Sequence, residues 1–428
     1  MRRARVLLIA EAANPEWVSV PLIGWSLARA LAEVADVHVV TQIRNRAAFL
    51  RAGLCEGDDF TAIDSEAVAG PLWKLAKALR MGEGKGWTML QALNAAAYPA
   101  FERRLWKRFG GEITAGKWDI VHRITPLSPT ISSPIAPRCR AAGVAFVLGP
   151  LNGGVPWPAA FRAEMRAERE FLAPLRAAYK ALPGRRATLA AASAILAGSR
   201  HTASEIPARF GDKLFWLPEN AIDPARFSHV AAHAPGPLRI AFVGRMVPYK
   251  GPDMLIEAAL PMLRAGRARL DMIGDGPLLA GLRAAHGGTP GLTFHGWLAH
   301  QAVQDVLGEA TLLALPSVRE FGGGVVLEAM ALGVAPLVVD YAGPGELVAP
   351  GLGFKIPLGS RAAIVAALRS ELERLADAPE LLAETGAAAR THVARHFTWQ
   401  AKAAQIARLY GWLLDGGARP ELLASPQL

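Results

Sequence analysis

Short apolar segments alternate with longer amphipathic segments along most of this 428-residue chain. The first apolar segment, RVLLIA at 5–10, is followed by an irregular loop, a helical pattern from about Leu22 to Val34, and the segment VHVVT at 37–41. The same pattern predicts further strands at 119–124, 144–149 and 194–199. Strands separated by helices predict a parallel sheet with helices on both faces, and such sheets bind ligands at the carboxyl ends of their strands.

A second array of the same kind follows a break in composition. Residues 224–237 are rich in Pro, Ala and His without an apolar period, which indicates a linker. Beyond it, strands are predicted at 239–244, 270–274, 292–296 and 311–316. The length also favours two domains of about 200 residues each, with a cleft between them. We expect an N-terminal domain over 1–222, a linker over 223–237, a C-terminal domain over 238–397, and a final helix within 398–428 that packs back on the first domain.

Composition restricts the class of protein. The chain is 52% hydrophobic and 20% charged, which is typical of a globular protein, and it has no apolar run of about 18 residues that could span a membrane. The short run VLLIA near the start favours a first buried strand over a signal peptide. Its two cysteines fit a reducing cytoplasm. The net charge of +10 admits an anionic partner, but no nucleic-acid-binding signature is present, so we expect no nucleic acid partner.

Residues 73–108 mix Lys and Arg with Trp, Leu and Phe at roughly helical spacing. Such a helix can lie on an anionic bilayer surface, which predicts a peripheral protein on the inner face of the cytoplasmic membrane. The alternative is an ordinary helix with a solvated basic face and a core face.

The stretch Leu315–Val348 carries the strongest site signal. It reads as strand, acidic loop, glycine triplet, helix from Val325, and strand. The glycines let the backbone approach a ligand, and the helix start favours an anion such as phosphate. Glu320 and Glu328, eight positions apart, suit hydroxyl groups better than phosphate. Phosphate and hydroxyls together indicate a nucleotide sugar.

Other predicted phosphate ligands follow the strand at 239–244. Arg245 comes directly after it, and Lys250 follows five residues later. A guanidinium fork and an ammonium suit a diphosphate, while the alternative is that they form surface ion pairs. After the next two strands, IGDGP with Gly274 and FHGWL with Trp297 place glycines where the backbone can close against a flat base, although the first could be a simple turn.

The C-terminal half resembles the nucleotide-sugar domain of the retaining family 4 glycosyltransferases. The resemblance lies in five motifs and their order along the chain: VGRMVPYKG, IGDGP, FHGWL, REFGGGVVLEAMALG and GPGE. The resemblance implies an α/β fold of the GT-B architecture, with two facing Rossmann-like doubly wound domains, and neither metal nor cofactor. It also implies that Glu320 binds hydroxyls of the donor sugar, Glu328 the ribose hydroxyls, and Arg245 with Lys250 the diphosphate. The backbone of Phe321, Gly322, Gly323, Gly324 and Val325 would contact sugar and phosphate. Asn220 matches a family Asn that is usually followed by Gly, where Ala221 stands here.

The N-terminal half resembles the family only in outline. Where members commonly have two glycines after the first strand, this chain has Asn14 and Ser19, which could supply polar contacts instead. His122 matches the first histidine of a DVVHxH pattern and is a candidate for contacting the reacting sugar; the alternative is a core histidine with satisfied hydrogen bonds. The segment GPLNGGVPWP is predicted to line the cleft through Asn152, Gly153 and Gly154.

We therefore expect a metal-independent, retaining hexosyltransferase that uses a nucleoside-diphosphate sugar and a saccharide or lipid-linked acceptor. The sequence has no DxD motif and no GxSxG elbow, so transfer would depend on positioning and on electrostatic stabilisation of the leaving diphosphate. The predicted catalytic set is Glu320, His122, Arg245 and Lys250. Two alternatives stay open: an epimerase or glycogen-synthase-like enzyme of the same fold, and a non-catalytic module that binds a nucleotide or an anionic membrane.

Overall fold

A computed structural model describes residues 3–67, 70, 87–167, 183–227, 229–231 and 236–423. The chain forms two compact units. The first contains Met1–Gly154, Met165–Glu219 and Trp399–Leu428, and the second contains Val155–Glu164 and Asn220–Thr398.

The first unit is built on a seven-stranded sheet in the order 3-2-1-4-5-6-7, and every pairing in it is parallel. Its strands are β1 (Arg5–Ala10), β2 (Asp36–Gln42), β3 (Phe60–Ile63), β4 (Ile120–Thr125), β5 (Ala145–Leu151), β6 (Ala194–Ala197) and β7 (Leu214–Trp216). The helices of this part of the chain are α1 (Val20–Val34), α2 (Arg46–Arg51), α3 (Trp87–Thr114), α4 (Ile135–Ala141), α5 (Arg162–Ala167), α6 (Pro183–Ala191) and α7 (Arg200–Ser204).

The second unit repeats this strand order in a six-stranded parallel sheet, 10-9-8-11-12-13. Its strands are β8 (Leu238–Val243), β9 (Ala268–Ile273), β10 (Leu292–Gly296), β11 (Leu312–Leu315), β12 (Ala335–Val339) and β13 (Phe354–Ile356). Its helices are α8 (Pro252–Arg264), α9 (Leu279–His286), α10 (His300–Glu309), α11 (Gly324–Ala331), α12 (Ala342–Leu347), α13 (Arg361–Ala376) and α14 (Pro379–His396). Helix α15 (Trp399–Asp415) belongs to the first unit.

The strand order places a topological switch point in each sheet. β1 lies next to β4, and β8 lies next to β11, so the chain reverses its direction of travel across the sheet at these two places. Loops that leave neighbouring strands at a switch point open a crevice at the carboxyl edge, which is where open α/β sheets bind ligands. In the second unit, the loops concerned follow Val243 and Leu315.

The predicted strands and helices of both arrays are present, with small shifts at their ends. The β strands at 5–10 and 292–296 have the predicted bounds, and the helix predicted from Leu22 begins at Val20. The short strands β3, β7 and β13 were not predicted. The structure also corrects the domain assignment, because Val155–Glu164 groups with the second unit although the sequence placed it in the first.

The basic segment predicted to meet a membrane is described only in part, since residues 73–86 lie outside the described ranges. In the described part of α3, Phe101, Leu105 and Phe109 are buried in the core. The exposed positions between them are basic: Arg103, Arg104, Lys107 and Arg108. This part of the helix thus has an exposed basic face over a core face, and contact of residues 73–108 with a membrane stays a prediction. Among the described residues, no helix is long and apolar enough to cross a bilayer.

Helix α15 packs against α1 within the first unit, and Tyr410 is one of its buried residues. The Tyr410 hydroxyl lies 2.6 Å from Nδ1 of His122 on β4, 288 residues earlier in the chain.

Tyr410→Phe should therefore lower the free energy of unfolding by about 1 kcal/mol, the typical contribution of one hydrogen bond. Urea titration followed by tryptophan fluorescence measures the change, and Gln400→Ala, at an exposed position of the same helix, is the control. An unchanged midpoint in Tyr410→Phe would contradict this role of the hydroxyl.

Candidate functional site

Lys250 and Glu320 meet at the switch point of the second sheet. Lys250 ends a short 3-10 helix, Pro248–Lys250, that follows β8, and Glu320 lies in the loop that follows β11. The ammonium and the carboxylate are in contact, with only 16% and 20% of their side chains exposed. Burial lowers the pKa of Lys250 to about 8. The pair supplies a positive and a negative group side by side.

The glycine triplet makes the turn between this loop and α11. Gly323 has a φ of 58°, the left-handed region, and precedes the first residue of the helix, Gly324. The helix thus begins one residue before the predicted Val325, and its first hydrogen bond runs from the Val326 N–H to the Gly323 carbonyl oxygen at 2.9 Å, so the N–H groups of Gly324 and Val325 precede it. The Asn220 side chain lies beside Gly324, because a Cβ added there would be 3.7 Å from the Asn220 amide oxygen. The structure thus brings Asn220, Lys250, Glu320 and the helix start into one region of the second unit.

The GPGE segment supports the Glu320 loop from the other side. The N–H of Gly343 donates to the Glu320 carbonyl oxygen at 3.3 Å. A Cβ at Gly343 would collide with the carbonyl oxygen of Phe321, so only glycine permits this close approach. The preceding Ala342 has a φ of 53°, which is strained for a residue with a Cβ. The packing of GPGE therefore restricts the position of the loop that carries Glu320.

Glu328 interacts with a residue that the sequence analysis missed, His300. Nε2 of His300 lies 3.6 Å from Oε1 of Glu328, and this interaction raises the pKa of His300. His300 is the first residue of α10, which follows β10, and its ring also packs edge-on against Phe227. The position of His300 shortly after the carboxyl end of a predicted strand is a sequence signal that could have identified it.

Arg319 was also missed, although it directly precedes Glu320. Its guanidinium lies 4.8 Å from the ring centre of Trp157 and 5.2 Å from that of Phe321. Its Nε donates to the Val155 carbonyl oxygen at 3.4 Å, and Tyr341 donates to that of Pro156 at 2.7 Å. These contacts explain why Val155–Glu164 belongs to the second unit. The sequence signal available for this contact was Trp157, the tryptophan that follows the double glycine of GPLNGGVPWP.

The remaining predicted donor residues of the second unit lie after β8, β9 and β10. Arg245 follows β8 and is half-buried. Gly274 has a φ of 131°, and a Cβ there would collide with the carbonyl oxygen of Gly244. The close approach of the loop after β9 to the loop after β8 therefore requires glycine at this position, whether or not a ligand binds. Trp297 is 75% exposed. The predicted ligand contacts of these residues stay predictions.

His122 lies in the core of the first unit and is fully buried. Its Nε2 donates to the Gly149 carbonyl oxygen at 2.7 Å, and Nδ1 accepts from the Tyr410 hydroxyl at 2.6 Å. Burial lowers the pKa of His122 to about 4, so the ring is neutral at pH 7. This geometry is that of a core histidine with satisfied hydrogen bonds, which argues against the predicted contact with a reacting sugar.

Two predicted residues of the first loop have different surroundings. Asn14 is buried; its amide donates to Asn45, in the loop after β2, at 3.2 Å, and its carbonyl accepts from the N–H of Glu16, in its own loop, at 2.9 Å. Ser19 is exposed and precedes α1 with a φ of 65°, and its side chain makes no capping bond.

Asn152 is engaged inside the first unit. Its amide nitrogen donates to both carboxylate oxygens of Glu219, at 2.7 and 2.8 Å, and its carbonyl accepts from the N–H of Gly153 at 2.8 Å. Gly153 and Gly154 have φ of 140° and 84°, so the turn that follows requires glycine. Within the ranges that the structure describes, no group of three or more His, Cys, Asp or Glu side chains is placed to hold a metal ion.

Solved structures share this fold. HepE of Anabaena, solved in complex with UDP and glucose, matches 95% of this chain and 99% of its own with a TM-score of 0.56 at 15% sequence identity. The predicted fold class is thereby confirmed: the chain has the two Rossmann-like parallel-sheet domains of the GT-B class.

Sequence comparison assigns part of the second unit to a family. The model described as glycosyl transferases group 1 matches residues 237–374, so this part of the chain is a domain of that family. The D-inositol 3-phosphate glycosyltransferase of Gordonia bronchialis is 33% identical over 242 residues, 49% of this chain and 50% of that protein. A Corynebacterium glutamicum GDP-mannose-dependent monoacylated alpha-(1-6)-phosphatidylinositol monomannoside mannosyltransferase is 36% identical over 172 residues, 38% and 44% of the two chains. The matches span half or less of the length of these relatives.

The packing of GPGE against the Glu320 loop can be tested with two glycine substitutions. Gly343→Ala should displace the loop and weaken binding of a nucleoside-diphosphate sugar at least tenfold, because the added methyl group cannot coexist with the Phe321 carbonyl. Gly281→Ala lies within α9 with open space around its Cβ, so it should leave binding unchanged and stabilise the helix slightly. Isothermal titration of both variants makes the comparison; equal affinities would contradict this account of the loop.

Proposed function

We propose that this protein is a retaining glycosyltransferase that transfers a sugar from a nucleoside-diphosphate sugar to a saccharide or lipid-linked acceptor without a metal ion. The contact of Lys250 with Glu320 beside the start of α11 is the observation that carries the proposal. The family assignment of residues 237–374 supports it. So do the two relatives, whose names give inositol 3-phosphate in one case and a phosphatidylinositol monomannoside in the other.

The donor would lie across this pair. Its diphosphate is held by Lys250, Arg245 and the N–H groups at the start of α11, because cations and helix N-termini both stabilise phosphate charge. Glu320 accepts hydrogen bonds from sugar hydroxyls, and Glu328, oriented by His300, accepts them from the ribose. Since Lys250 and Glu320 touch, the bond between diphosphate and sugar would lie where positive and negative groups meet.

Transfer at this position needs no protein nucleophile. The bond from the anomeric carbon to the diphosphate oxygen breaks, and the diphosphate leaves with the electron pair. The acceptor hydroxyl oxygen forms the new bond on the same face, and its proton passes to the departing diphosphate. Lys250 and Arg245 stabilise the charge that develops on the leaving group, which is the kind of electrostatic stabilisation that contributes most in many enzymes. Their positive charge would stabilise the leaving diphosphate in the way that a metal ion does in metal-dependent transferases.

Lys250 can be tested in donor binding. Lys250→Ala should weaken the donor by about 1.5–3 kcal/mol, the range for hydrogen bonds to charged groups, or roughly 10- to 150-fold in dissociation constant. Lys117→Ala is the control, since Lys117 forms an exposed ion pair with Glu112 in the first unit and should leave affinity unchanged. Calorimetric titration with the donor that gives the largest thermal shift measures both. An unaltered affinity in Lys250→Ala would refute the diphosphate assignment.

Activity requires a separate experiment. Wild type should transfer label from radiolabelled donors to lipid or saccharide acceptors, with the anomeric configuration of the donor retained in the product by proton NMR. Glu320→Gln should reduce transfer at least a hundredfold, and EDTA should leave the wild-type rate intact. Donor binding with neither transfer nor hydrolysis over a wide acceptor panel would favour the non-catalytic module, and loss of activity in EDTA would overturn metal independence.

A further inference from the structure

We propose that Trp157 is a positioning residue for Lys250 and Glu320. Its ring packs against the residue that precedes each of them in the chain, Tyr249 in one loop and Arg319 in the other. It thereby sets how the charged pair meets a nucleoside-diphosphate sugar. This role rests on the proposed function, because it concerns the donor of the same reaction.

The local sequence holds the backbone around Trp157 in an extended conformation. A proline stands on each side of it, Pro156 and Pro158. The proline ring fixes φ at about −65°, and a residue that precedes a proline is kept out of the helical region. Pro158 has a φ of −60° and a ψ of 142°, which is extended. Trp157 therefore meets its partners from a backbone with little conformational freedom of its own.

Two hydrogen bonds attach this backbone to the second unit. The carbonyl oxygen of Val155, which is 3% exposed, accepts from Nε of Arg319 at 3.4 Å. The carbonyl oxygen of Pro156 accepts from the Tyr341 hydroxyl at 2.7 Å. The residues just before Trp157 are thus bound to the loop that carries Glu320 and to the end of β12, so the position of the ring is set within the unit that contains the charged pair.

In the loop that carries Glu320, Trp157 covers a guanidinium. The guanidinium carbon of Arg319 lies 4.8 Å from the ring centre of Trp157 and 5.2 Å from that of Phe321. Arg319 is 9% exposed, and a cation is attracted to the face of an aromatic ring more strongly when water is excluded. Because Arg319 directly precedes Glu320, fixing its side chain restricts where the Glu320 carboxylate can lie.

In the loop that carries Lys250, Trp157 packs against a tyrosine. The ring centres of Trp157 and Tyr249 are 5.8 Å apart and their planes meet at 88°, an edge-to-face arrangement that aromatic pairs favour. The Tyr249 carbonyl oxygen accepts from the N–H of Val318 at 2.9 Å and from the Ser317 hydroxyl at 3.2 Å, so the two loops are joined here. Trp157 adds a side-chain contact to each loop, one residue away from the charged pair.

The charged pair needs support of this kind. Lys250 and Glu320 both have long side chains with several rotatable bonds, and the donor has to meet the ammonium with its diphosphate and the carboxylate with its sugar. A displacement of about 1 Å in a reacting group can lower a rate about a hundredfold. Trp157 acts on both groups through their neighbours, so its loss should change their placement while leaving their chemistry intact.

The first test compares donor binding by calorimetric titration. Of UDP-glucose, UDP-N-acetylglucosamine, GDP-mannose and ADP-glucose, the one with the largest thermal shift is the donor. Trp157→Leu should weaken it roughly tenfold, while Trp157→Phe, which keeps a ring face and edge, should stay within about threefold of wild type. Trp106→Leu is the matched control: the Arg138 guanidinium carbon lies 5.2 Å from the Trp106 ring centre in the first unit, so the same kind of contact is lost elsewhere and affinity should not change.

A second measurement separates positioning from a general loss of structure. Arg319→Met removes the contact in the loop of Glu320, and it should weaken the donor roughly tenfold but the free nucleoside diphosphate less than twofold, because the carboxylate is expected to bind only the sugar. Tyr249→Leu alters the contact in the loop of Lys250, and it should weaken both ligands alike. A merely structural defect would affect both ligands alike in both variants.

Wild-type donor affinity in Trp157→Leu would overturn this role, and so would a loss of the same size in Trp157→Phe or Trp106→Leu. An equal loss of both ligands in Arg319→Met would overturn it as well. If thermal unfolding shows that Trp157→Leu does not fold, Arg319→Met and Tyr249→Leu decide. A wild type that binds none of the four donors would refute the proposed function and this role with it, whereas donor loss in Lys250→Ala with unchanged affinity in Trp157→Leu would refute this role only.

Discussion

The contact between the Lys250 ammonium and the Glu320 carboxylate depends on two loops that arrive from neighbouring strands of one sheet. Both groups are mostly withdrawn from water, and a pair of this kind contributes little net stability because desolvation offsets the attraction. The surrounding structure nevertheless maintains it: Gly323 turns the chain into α11, Gly343 fits beneath the loop, and Arg319 is enclosed by two aromatic rings. Such support for a pair that stabilises little is expected of a binding site.

The same strand order in both sheets creates one switch point in each, and the residues at the strand ends differ between them. At the switch point of the second sheet, glycines, a helix start and a lysine present positive charge and backbone N–H groups. At that of the first sheet, the buried Arg123 of β4 donates to the Ile131 carbonyl oxygen and to the Ser133 hydroxyl. The fold thus determines where ligands can bind, and the residues at the strand ends determine which ligands these are.

Sequence patterns predicted the long buried strands well, because continuous apolar runs such as RVLLIA and TLLALP leave few alternatives. They missed β3, β7 and β13, which are three or four residues long and too short to show a period. Among site residues, Lys250, Glu320 and the glycine triplet were identified because each lies in a short contiguous motif, Lys250 in VGRMVPYKG and the others in REFGGGVVLEAMALG. His300 and Arg319 were not, since their partners, Glu328 and Trp157, lie 28 and 162 positions away.

The sequence by itself determined the fold class, the glycine-rich turn and the types of charged group at the second switch point, because these depend on local propensity and on neighbours in the chain. Only the tertiary structure decided what each polar side chain contacts. His122, read from its motif as a sugar ligand, is bound on one side by a carbonyl of β5 and on the other by Tyr410 of the last helix. Arg123, the next residue, points to the opposite face, and its Nε and Nη2 have no hydrogen-bond partner within the part of the chain that the structure describes. Burial and hydrogen-bond partners arise from contacts between distant segments, and no local pattern encodes them.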